Sequence, residues 1–161
     1  MEPYRPSKLH CPMCGVVNSV EYLRDANSTA NIVKDTGTVK GRGVFAGRAY
    51  LKDQVIEISP VIVIEAEYEA LPKPIFERIY DWKSIGKIPT SALALGHGSL
   101  FNHADSANMQ FNLDYRKKQI SYIAARDIKA GEELTINYNS ENGEPEWPDN
   151  NWFDRTGIKP V

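Results

Sequence analysis

Short runs of β-favouring residues recur along most of this 161-residue chain, and Gly, Pro, Asn and Asp separate them. Seven such runs stand out, at residues 32–34, 43–46, 54–58, 61–64, 108–114, 119–125 and 134–138. This spacing is typical of many short strands. Because the strands do not alternate with helices, a doubly wound parallel α/β fold is disfavoured. The sequence therefore predicts a mostly β, β-rich α+β fold. The run 61–64 lacks alternation, which predicts a strand buried on both faces.

Residues 65–80 have a different character, because they are rich in Glu and Ala. Their apolar side chains recur at roughly helical spacing and would share one face: Tyr68, Leu71, Ile75, Phe76 and Ile79. Pro72 and Pro74 interrupt the pattern. This segment therefore predicts two short helices or one broken helix.

Composition excludes several classes of protein. The hydrophobic content of 42% and charged content of 25% are ordinary for a soluble globular domain, and the length suits one domain with a modest core. A net charge of -2 gives no indication of direct nucleic-acid binding. No apolar run approaches the ~20 residues that span a bilayer. The N-terminal stretch MEPYRPSKLHCP lacks the apolar segment of a secretory signal.

The two cysteines of the chain, Cys11 and Cys14, form one CxxC in an N-terminal arm. A disulfide-stapled secreted protein would carry more cysteines, so a reducing, intracellular location is favoured. Together with His10 they supply at most three zinc ligands, and a mononuclear site needs four. We therefore expect a reduced, metal-free CxxC. Zinc would require a ligand from elsewhere in the chain or from a second copy, which would make a homodimer.

Three segments hold polar groups that a core would not favour. The first runs from Lys40 through Gly41-Arg42-Gly43, the second contains Asn102, His103 and Asn108, and the third runs from Gly131 to Tyr138. Each alone is explained by a hairpin turn, a loop or a strand end. Gly-x-Gly without a third glycine is no dinucleotide fingerprint.

Taken together, the order and spacing of these segments resemble the SET-domain protein-lysine methyltransferases. That family has a Gly-x-Gly segment, an Asn-His-x-x-x-Pro-Asn segment and Glu-Leu-x-x-Asp-Tyr. The resemblance covers residues 32–153 and is closest to the small SET proteins of bacteria and large DNA viruses. It implies several small, mostly antiparallel sheets, with the C-terminal segment threaded beneath a loop as a pseudoknot. We expect an arm at residues 1–30, a SET domain at 31–140 with an insert at about 65–90, and an aromatic, acidic tail at 141–161.

The resemblance also implies an activity. The cofactor would be S-adenosylmethionine, the product S-adenosylhomocysteine, and the methyl acceptor the ε-amine of a lysine in a protein. The cofactor would contact the backbone of Lys40, Gly41, Arg42 and Gly43, the side chain of Asn102, the backbone of His103, and Trp152 over the adenine. Tyr138 matches the catalytic tyrosine, whose hydroxyl orients the attacking amine. Neither a metal nor a general base is required.

The chain departs from the family pattern at the substrate channel. Where the family often has Tyr-x-Gly, this chain has Ile58-Ser59-Pro60, so another tyrosine would complete the channel. The candidates are Tyr50, Tyr68 and Tyr80. Phe111, Ile136 and Phe153 are further channel candidates, although Phe111 and Phe153 are equally explained by packing. An aliphatic residue at position 136 favours a less restricted pocket and hence di- or trimethylation.

The acidic tail suggests the kind of partner. Glu141, Glu144, Glu146, Asp149 and Asp154 could attract a basic protein or peptide, such as a histone, a histone-like protein or a ribosomal protein. No direct nucleic-acid or membrane partner is expected, and the location would be cytoplasmic in a bacterium or nuclear for a eukaryotic or viral protein. The alternative is a non-catalytic SET-like peptide-binding or scaffold module. The missing Tyr-x-Gly favours that alternative, whereas the retained Asn102, His103 and Tyr138 oppose it.

Overall fold

The computed structural model describes residues 9–10, 17–18, 31–66, 70–86, 88–141, 144–145 and 153. In chain order the strands are β1 (Leu9–His10), β2 (Val17–Asn18), β3 (Ile32–Asp35), β4 (Arg42–Phe45), β5 (Val55–Glu65), β6 (Ile79–Ile85), β7 (Ile88–Ala94), β8 (Asn102–His103), β9 (Met109–Asp114), β10 (Gln119–Ala124), β11 (Glu133–Ile136), β12 (Ser140–Glu141) and β13 (Glu144–Pro145). One short helix, α1 (Lys73–Phe76), and a 3₁₀ turn at Gly98–Leu100 complete the described elements. The prediction of a mostly β fold is confirmed, because nearly every described element is a strand.

Two sheets form the body of the molecule. The larger has five antiparallel strands in the order β6-β7-β5-β10-β9, and the smaller has the order β3-β4-β11-β8. β1–β2 and β12–β13 are two-stranded pairs. The core unites the two sheets, since Ile120, Tyr122 and Ala124 of β10 share one cluster with Val44 of β4 and Leu134 of β11. The alternation of apolar residues along β10 therefore marks its inward face correctly.

The two runs predicted at 54–58 and 61–64 form the single long strand β5. Its first half pairs with β10 through Pro60, and its second half pairs with β7 from Val61 onward. Pro60 lies at this change of partner, where a residue without an amide hydrogen is tolerated. The prediction that 61–64 is buried on both faces is wrong: the side chain of Ile62 is 51% exposed. Only the face that carries Val61 packs on the core.

The helical prediction for residues 65–80 is confirmed only for α1. Residue Glu65 ends β5, and Ile79 and Tyr80 begin β6, which pairs with β7 in a hairpin. Pro72 immediately precedes α1 and Pro74 lies within its first turn. Pairing across the hairpin buries Ile79 and places Tyr80 against the core, so strand pairing prevails over helical spacing.

One pairing is parallel, and it brings distant segments together. β8 lies beside β11 with Asn102 opposite Thr135 and His103 opposite Ile136. The strand pairs of the large sheet and the remaining pairs of the small sheet are antiparallel. This β8–β11 crossing places the Asn-His segment directly against the segment that leads to Tyr138. No helix among the described residues is long and apolar enough to span a membrane.

Candidate active site

His103 fixes the start of the segment that carries Tyr138. The backbone N–H of Tyr138 donates to His103 Nδ1 at 3.2 Å, and His103 Nε2 lies 3.1 Å from Asp105 Oδ1. Because Nδ1 accepts, the ring hydrogen is on Nε2, which donates to Asp105. Burial lowers the pKa of His103, and the carboxylate of Asp105 opposes that shift. The ring is therefore a neutral structural group that ties β8 to the segment that follows β11.

Tyr138 presents a protonated hydroxyl held in one direction. Its hydroxyl donates to the backbone oxygen of Phe101 at 2.8 Å. Burial raises the pKa of Tyr138 to about 12, with a further contribution from Glu133 and an opposing one from Arg78. At neutral pH the hydroxyl therefore stays protonated and donates to Phe101 O, so it does not act as a general base. Its oxygen lone pairs can accept a hydrogen bond from a group that approaches it.

Asn102, Gly43 and Glu133 form a tight contact next to the crossing. Asn102 Nδ2 donates to Glu133 Oε1 at 2.8 Å and to the backbone oxygen of Arg42 at 3.2 Å. A Cβ on Gly43 would collide with Glu133 Oε1 and would lie 2.9 Å from Asn102 Nδ2. Any larger residue at this position would therefore displace the Glu133 carboxylate from Asn102.

Gly41 is required for a different reason. Its φ is +70°, and an added Cβ would meet nothing within 4 Å. The residue closes the β3–β4 turn, in which Thr36 N donates to Gly41 O at 2.8 Å. Only glycine adopts this left-handed conformation without strain. The two glycines of the Gly-x-Gly segment thus serve the turn and the close approach respectively.

Lys40 connects the Gly-x-Gly segment to the crossing. Its Nζ donates to the backbone oxygen of His103 at 2.9 Å, across 63 residues of sequence. That oxygen belongs to the backbone predicted to contact the adenine. An adenine contact at the same oxygen would require Lys40 to share it or to move aside. The backbone N–H of His103 is not involved in this bond.

A cluster of aromatic residues lies beneath Tyr138 and Phe101. The Tyr122 hydroxyl donates to the Tyr80 hydroxyl at 2.9 Å, and Tyr80 donates to the backbone oxygen of Gly98 at 2.6 Å. The rings of Phe101 and Tyr122 lie 4.7 Å apart. Burial is the main cause that raises the pKa of both tyrosines. Both hydroxyls are therefore neutral, and the chain of donors runs in one direction.

Glu57 and His97 support this cluster and were not identified from the sequence. Glu57 Oε1 accepts from the backbone N–H of His97 at 2.7 Å and from Ser59 Oγ at 2.9 Å. Its second oxygen lies 2.7 Å from His97 Nδ1. These bonds hold the turn that presents the Gly98 oxygen to Tyr80. Nothing local in the sequence pairs residues 40 positions apart, so no pattern indicated this contact.

The family model described as "SET domain" matches residues 41–139, which contain the crossing and all of the three polar segments except Lys40.

The chain belongs to the SET-domain family.

A curated relative, "Histone-lysine N-methyltransferase, H3 lysine-37 specific" from Schizosaccharomyces pombe (strain 972 / ATCC 24843), is 43% identical over 109 residues, covering 66% of this chain and 71% of the relative. A candidate histone methyltransferase from Plasmodium falciparum has a similar fold, with a TM-score of 0.54 at 24% identity, covering 70% of this chain and 99% of that one. An active polycomb repressive complex 2 in the basal state gives a TM-score of 0.57 at 18% identity, covering 78% of this chain and 17% of that one. At these identities the structural matches show the fold alone, and they support the prediction of a SET-type arrangement of small sheets.

The SET domain brings most of the predicted site residues into one region. Phe153 packs edge-on against the His103 ring at 4.7 Å and stacks with the Tyr138 ring at 6.3 Å. Phe111 packs edge-on against Tyr80, with ring centroids 5.4 Å apart. Ile136 is buried opposite His103 in the crossing. Their assignment to the substrate channel stays a prediction.

The tyrosine that completes the channel has a structural candidate. Ile58, at the family's tyrosine position, is 52% exposed, so its side chain points away from the core. The Tyr50 hydroxyl donates to Asn31 Oδ1 at 2.7 Å and does not bond to the aromatic residues of the cluster, which makes Tyr50 the weaker candidate. Tyr80 is in the cluster, together with Tyr122, which the sequence analysis missed. The alternation along β10 was the available signal for Tyr122, since it marks that residue as inward-facing.

Some predicted residues lie outside the described part of the chain. These are Tyr68, Trp152, Cys11 and Cys14, together with Glu146, Asp149 and Asp154 of the acidic tail. His10 lies in β1, where only the backbone is described, and β1 pairs with β2 on the far side of the CxxC in sequence. Within the described residues, no group of three or more His, Cys, Asp or Glu side chains could hold a metal ion. The expectation of a metal-free CxxC stays a prediction.

Proposed function

We infer that this SET domain is a protein-lysine methyltransferase that uses S-adenosylmethionine and that carries out the transfer at Tyr138. The observation that supports this most directly is the position of the Tyr138 hydroxyl, which Phe101 O holds at 2.8 Å beside the Asn102–His103 crossing. SET methyltransferases in general use this cofactor. The curated relative that is 43% identical is named a histone-lysine methyltransferase, which agrees with the same chemistry.

The groups around the crossing fit the amino-acid end of the cofactor. Both amide hydrogens of Asn102 are engaged, and no donor among the described residues reaches its Oδ1. An ammonium group is the natural donor for such an oxygen. Because Gly43 has no Cβ, the backbone of the Gly-x-Gly segment lies directly against the Asn102 and Glu133 side chains and so beside the proposed cofactor pocket. Trp152 stays the proposed cover of the adenine, and Phe153 flanks the same region through its contact with His103.

S-Adenosylmethionine supplies, when bound, a methyl group on a sulfonium that an amine can attack. The residues of the chain then have to hold the amine in line and keep water away. The lysine amine must be neutral, although its free pKa is ~10.4. A buried channel disfavours the charged form. The Tyr138 hydroxyl oxygen accepts an N–H of that amine, while its own hydrogen stays on Phe101 O.

The walls of the channel are the neutral aromatic groups already described. Tyr80, Tyr122, Phe101 and Phe111 pack against one another, and their two hydroxyls are satisfied by Gly98 O and by each other. None of these four side chains carries a charge at neutral pH, although the Glu57 carboxylate is near enough to contribute to the raised pKa of both tyrosines. The wall therefore binds the aliphatic part of a lysine and stabilises its neutral amine.

The proposed substrate is a basic, histone-like protein tail. The name of the relative indicates a histone substrate for that protein. The acidic residues of positions 141–154 would attract a basic segment by charge. Ile136 brings no hydroxyl to the crossing, so we propose that a second and a third methyl group can be accommodated. Mass spectrometry that finds only monomethylated product would exclude this.

The test of the activity is Tyr138→Phe compared with Tyr115→Phe. Tyr115 is a matched control because it is 40% exposed and packs against Trp82. Tritiated methyl transfer to histone H3 and to a mixture of basic proteins should fall by about 10²-fold or more for Tyr138→Phe. Calorimetry should show cofactor affinity within about threefold of the unsubstituted chain, since the hydroxyl acts on the amine. Unchanged transfer by Tyr138→Phe would remove this residue from the mechanism.

A further inference from the structure

Two adjacent glutamates at the start of β11 have opposite surroundings. The Glu132 side chain is 30% exposed and its carboxylate is already partnered, because it accepts from Lys129 N at 2.6 Å and from Arg126 Nη2 at 2.9 Å. Glu133 is half-buried and points toward Gly43 and Asn102. Strand alternation explains the opposite directions. Of these two glutamates, it is Glu133 that places its carboxylate at the proposed cofactor pocket.

The Glu133 carboxylate determines how the Asn102 amide is oriented. Asn102 Nδ2 sits between two acceptors, Glu133 Oε1 and the Arg42 backbone oxygen. The flipped amide would place its oxygen against both acceptors, which is unfavourable. The two acceptors therefore determine that the Asn102 NH₂ group, and not its oxygen, faces Glu133 and Arg42 O. As a result, Asn102 Oδ1 faces away from Glu133 and is left for a donor from a ligand.

The Glu133 carboxylate has no cationic partner in the part of the chain that the structure describes. Among the described residues, no Lys or Arg side chain forms an ion pair with it. Glu133 also contributes to the raised pKa of Tyr138, although burial is the main cause. Glu133 therefore contacts the proposed cofactor-binding residue Asn102 and acts electrostatically on the proposed catalytic residue Tyr138.

We propose that Glu133 is the residue by which this SET domain distinguishes the methyl donor from the spent cofactor. S-Adenosylmethionine has one more positive charge than S-adenosylhomocysteine, because its sulfur is a sulfonium. A fixed carboxylate in a partly desolvated pocket stabilises the first relative to the second. The same carboxylate orients Asn102 toward the ammonium group that both molecules share. This inference rests on the proposed function.

A consequence for turnover follows from the charges. Methyl transfer removes the sulfonium charge, so the attraction to Glu133 falls at the moment when the product forms. The spent cofactor then lacks this additional attraction, whereas a fresh molecule of the methyl donor has it. Glu133 therefore favours exchange of the spent cofactor and reduces inhibition by it.

The test is Glu133→Gln with Glu132→Gln as the matched control. Glutamine retains the shape, and its carbonyl oxygen can still accept from Asn102, so the substitution removes mainly the charge. Calorimetry on the full chain would measure S-adenosylmethionine, S-adenosylhomocysteine and sinefungin, which has a cationic amine in place of the sulfonium. In Glu133→Gln the affinities for the two cationic ligands should fall at least about threefold relative to that for S-adenosylhomocysteine. Glu132→Gln should leave the ratios unchanged.

A second measurement does not depend on the folding of a variant. On the unsubstituted chain, the ionic strength would be raised from about 0.05 M to about 0.5 M. The affinities for S-adenosylmethionine and sinefungin should then fall relative to the affinity for S-adenosylhomocysteine, because salt screens the partly exposed Glu133 charge. Ratios that respond neither to salt nor to Glu133→Gln overturn this inference and leave the methyltransferase activity standing. An unsubstituted chain that binds no cofactor overturns both.

Discussion

Replacement of Gly43 by alanine tests the packing that brings the Gly-x-Gly segment against the crossing. The φ of Gly43 lies outside the left-handed region, so the backbone itself accepts alanine. The new Cβ would collide with Glu133 Oε1 and would lie 2.9 Å from Asn102 Nδ2 and 3.0 Å from Thr36 Cγ2. The Glu133 carboxylate is the end of a rotatable side chain and is expected to swing away, which breaks its bond to Asn102.

The expected cost combines overpacking with a lost charge-assisted hydrogen bond. Together these amount to about 2 kcal/mol of unfolding free energy. For a chain of this size that corresponds to a decrease in melting temperature of about 4–8 °C. Cofactor affinity should fall as well, because Asn102 loses its fixed orientation. Thermal unfolding and calorimetry with S-adenosylhomocysteine measure the two effects separately.

A double-mutant cycle identifies Glu133 as the source of the cost. In a Glu133→Ala background the collision is absent, so Gly43→Ala should cost less than about half of its value in the unsubstituted chain. Gly41→Ala is the contrasting variant, since Gly41 has free space but a φ of +70°. Its cost, about 1–2 kcal/mol, should be the same in both backgrounds. Equal costs of Gly43→Ala in the two backgrounds would refute the steric argument.

The remaining predictions concern pH and metal. His103 has a pKa below its ordinary value in the folded protein, so its neutral form is stabilised by folding, and this contribution is present above the unfolded pKa of ~6.5. This stabilisation should be lost as pH falls below ~6.5. Melting curves recorded between about pH 7.5 and 5 should therefore show a smaller loss of stability for His103→Asn than for the unsubstituted protein. Identical pH dependence of the two proteins contradicts the assignment. For the CxxC, elemental analysis should find no stoichiometric zinc, and a chelator should leave methyl transfer unchanged; loss of transfer that added zinc restores would show that Cys11 and Cys14 hold a metal.

The sequence by itself determined the strand-rich class and the identity of the family. Strand residues alternate with a period of two, and Gly, Asn and Asp mark the turns, so β3, β4, β9, β10 and β11 lie close to where those local signals place them. The turn before β10 is an example, since Asp114 Oδ1 accepts from Lys117 N at 2.9 Å within three residues. Such features depend on neighbours in sequence and can be read from it.

Local patterns failed where partners are distant. Ile79 and Tyr80 fall at the end of the predicted helical segment, yet they begin β6 because β7 pairs with them. Ile62 lies in a continuous apolar run, but only one face of β5 meets the core. Periodicity describes which residues share a face. It does not say what covers that face.

Only the tertiary structure decided how the site is built. The parallel β8–β11 pairing sets Asn102 against Glu133, 31 residues away, and the large sheet brings Tyr122 to Tyr80, 42 residues away. Lys40 and His103 are 63 residues apart. These contacts depend on which strands pair and in which register, and strand pairing is a property of the whole fold. The motifs identified the residues that matter most, and the pairing of the strands determined the direction in which each side chain points.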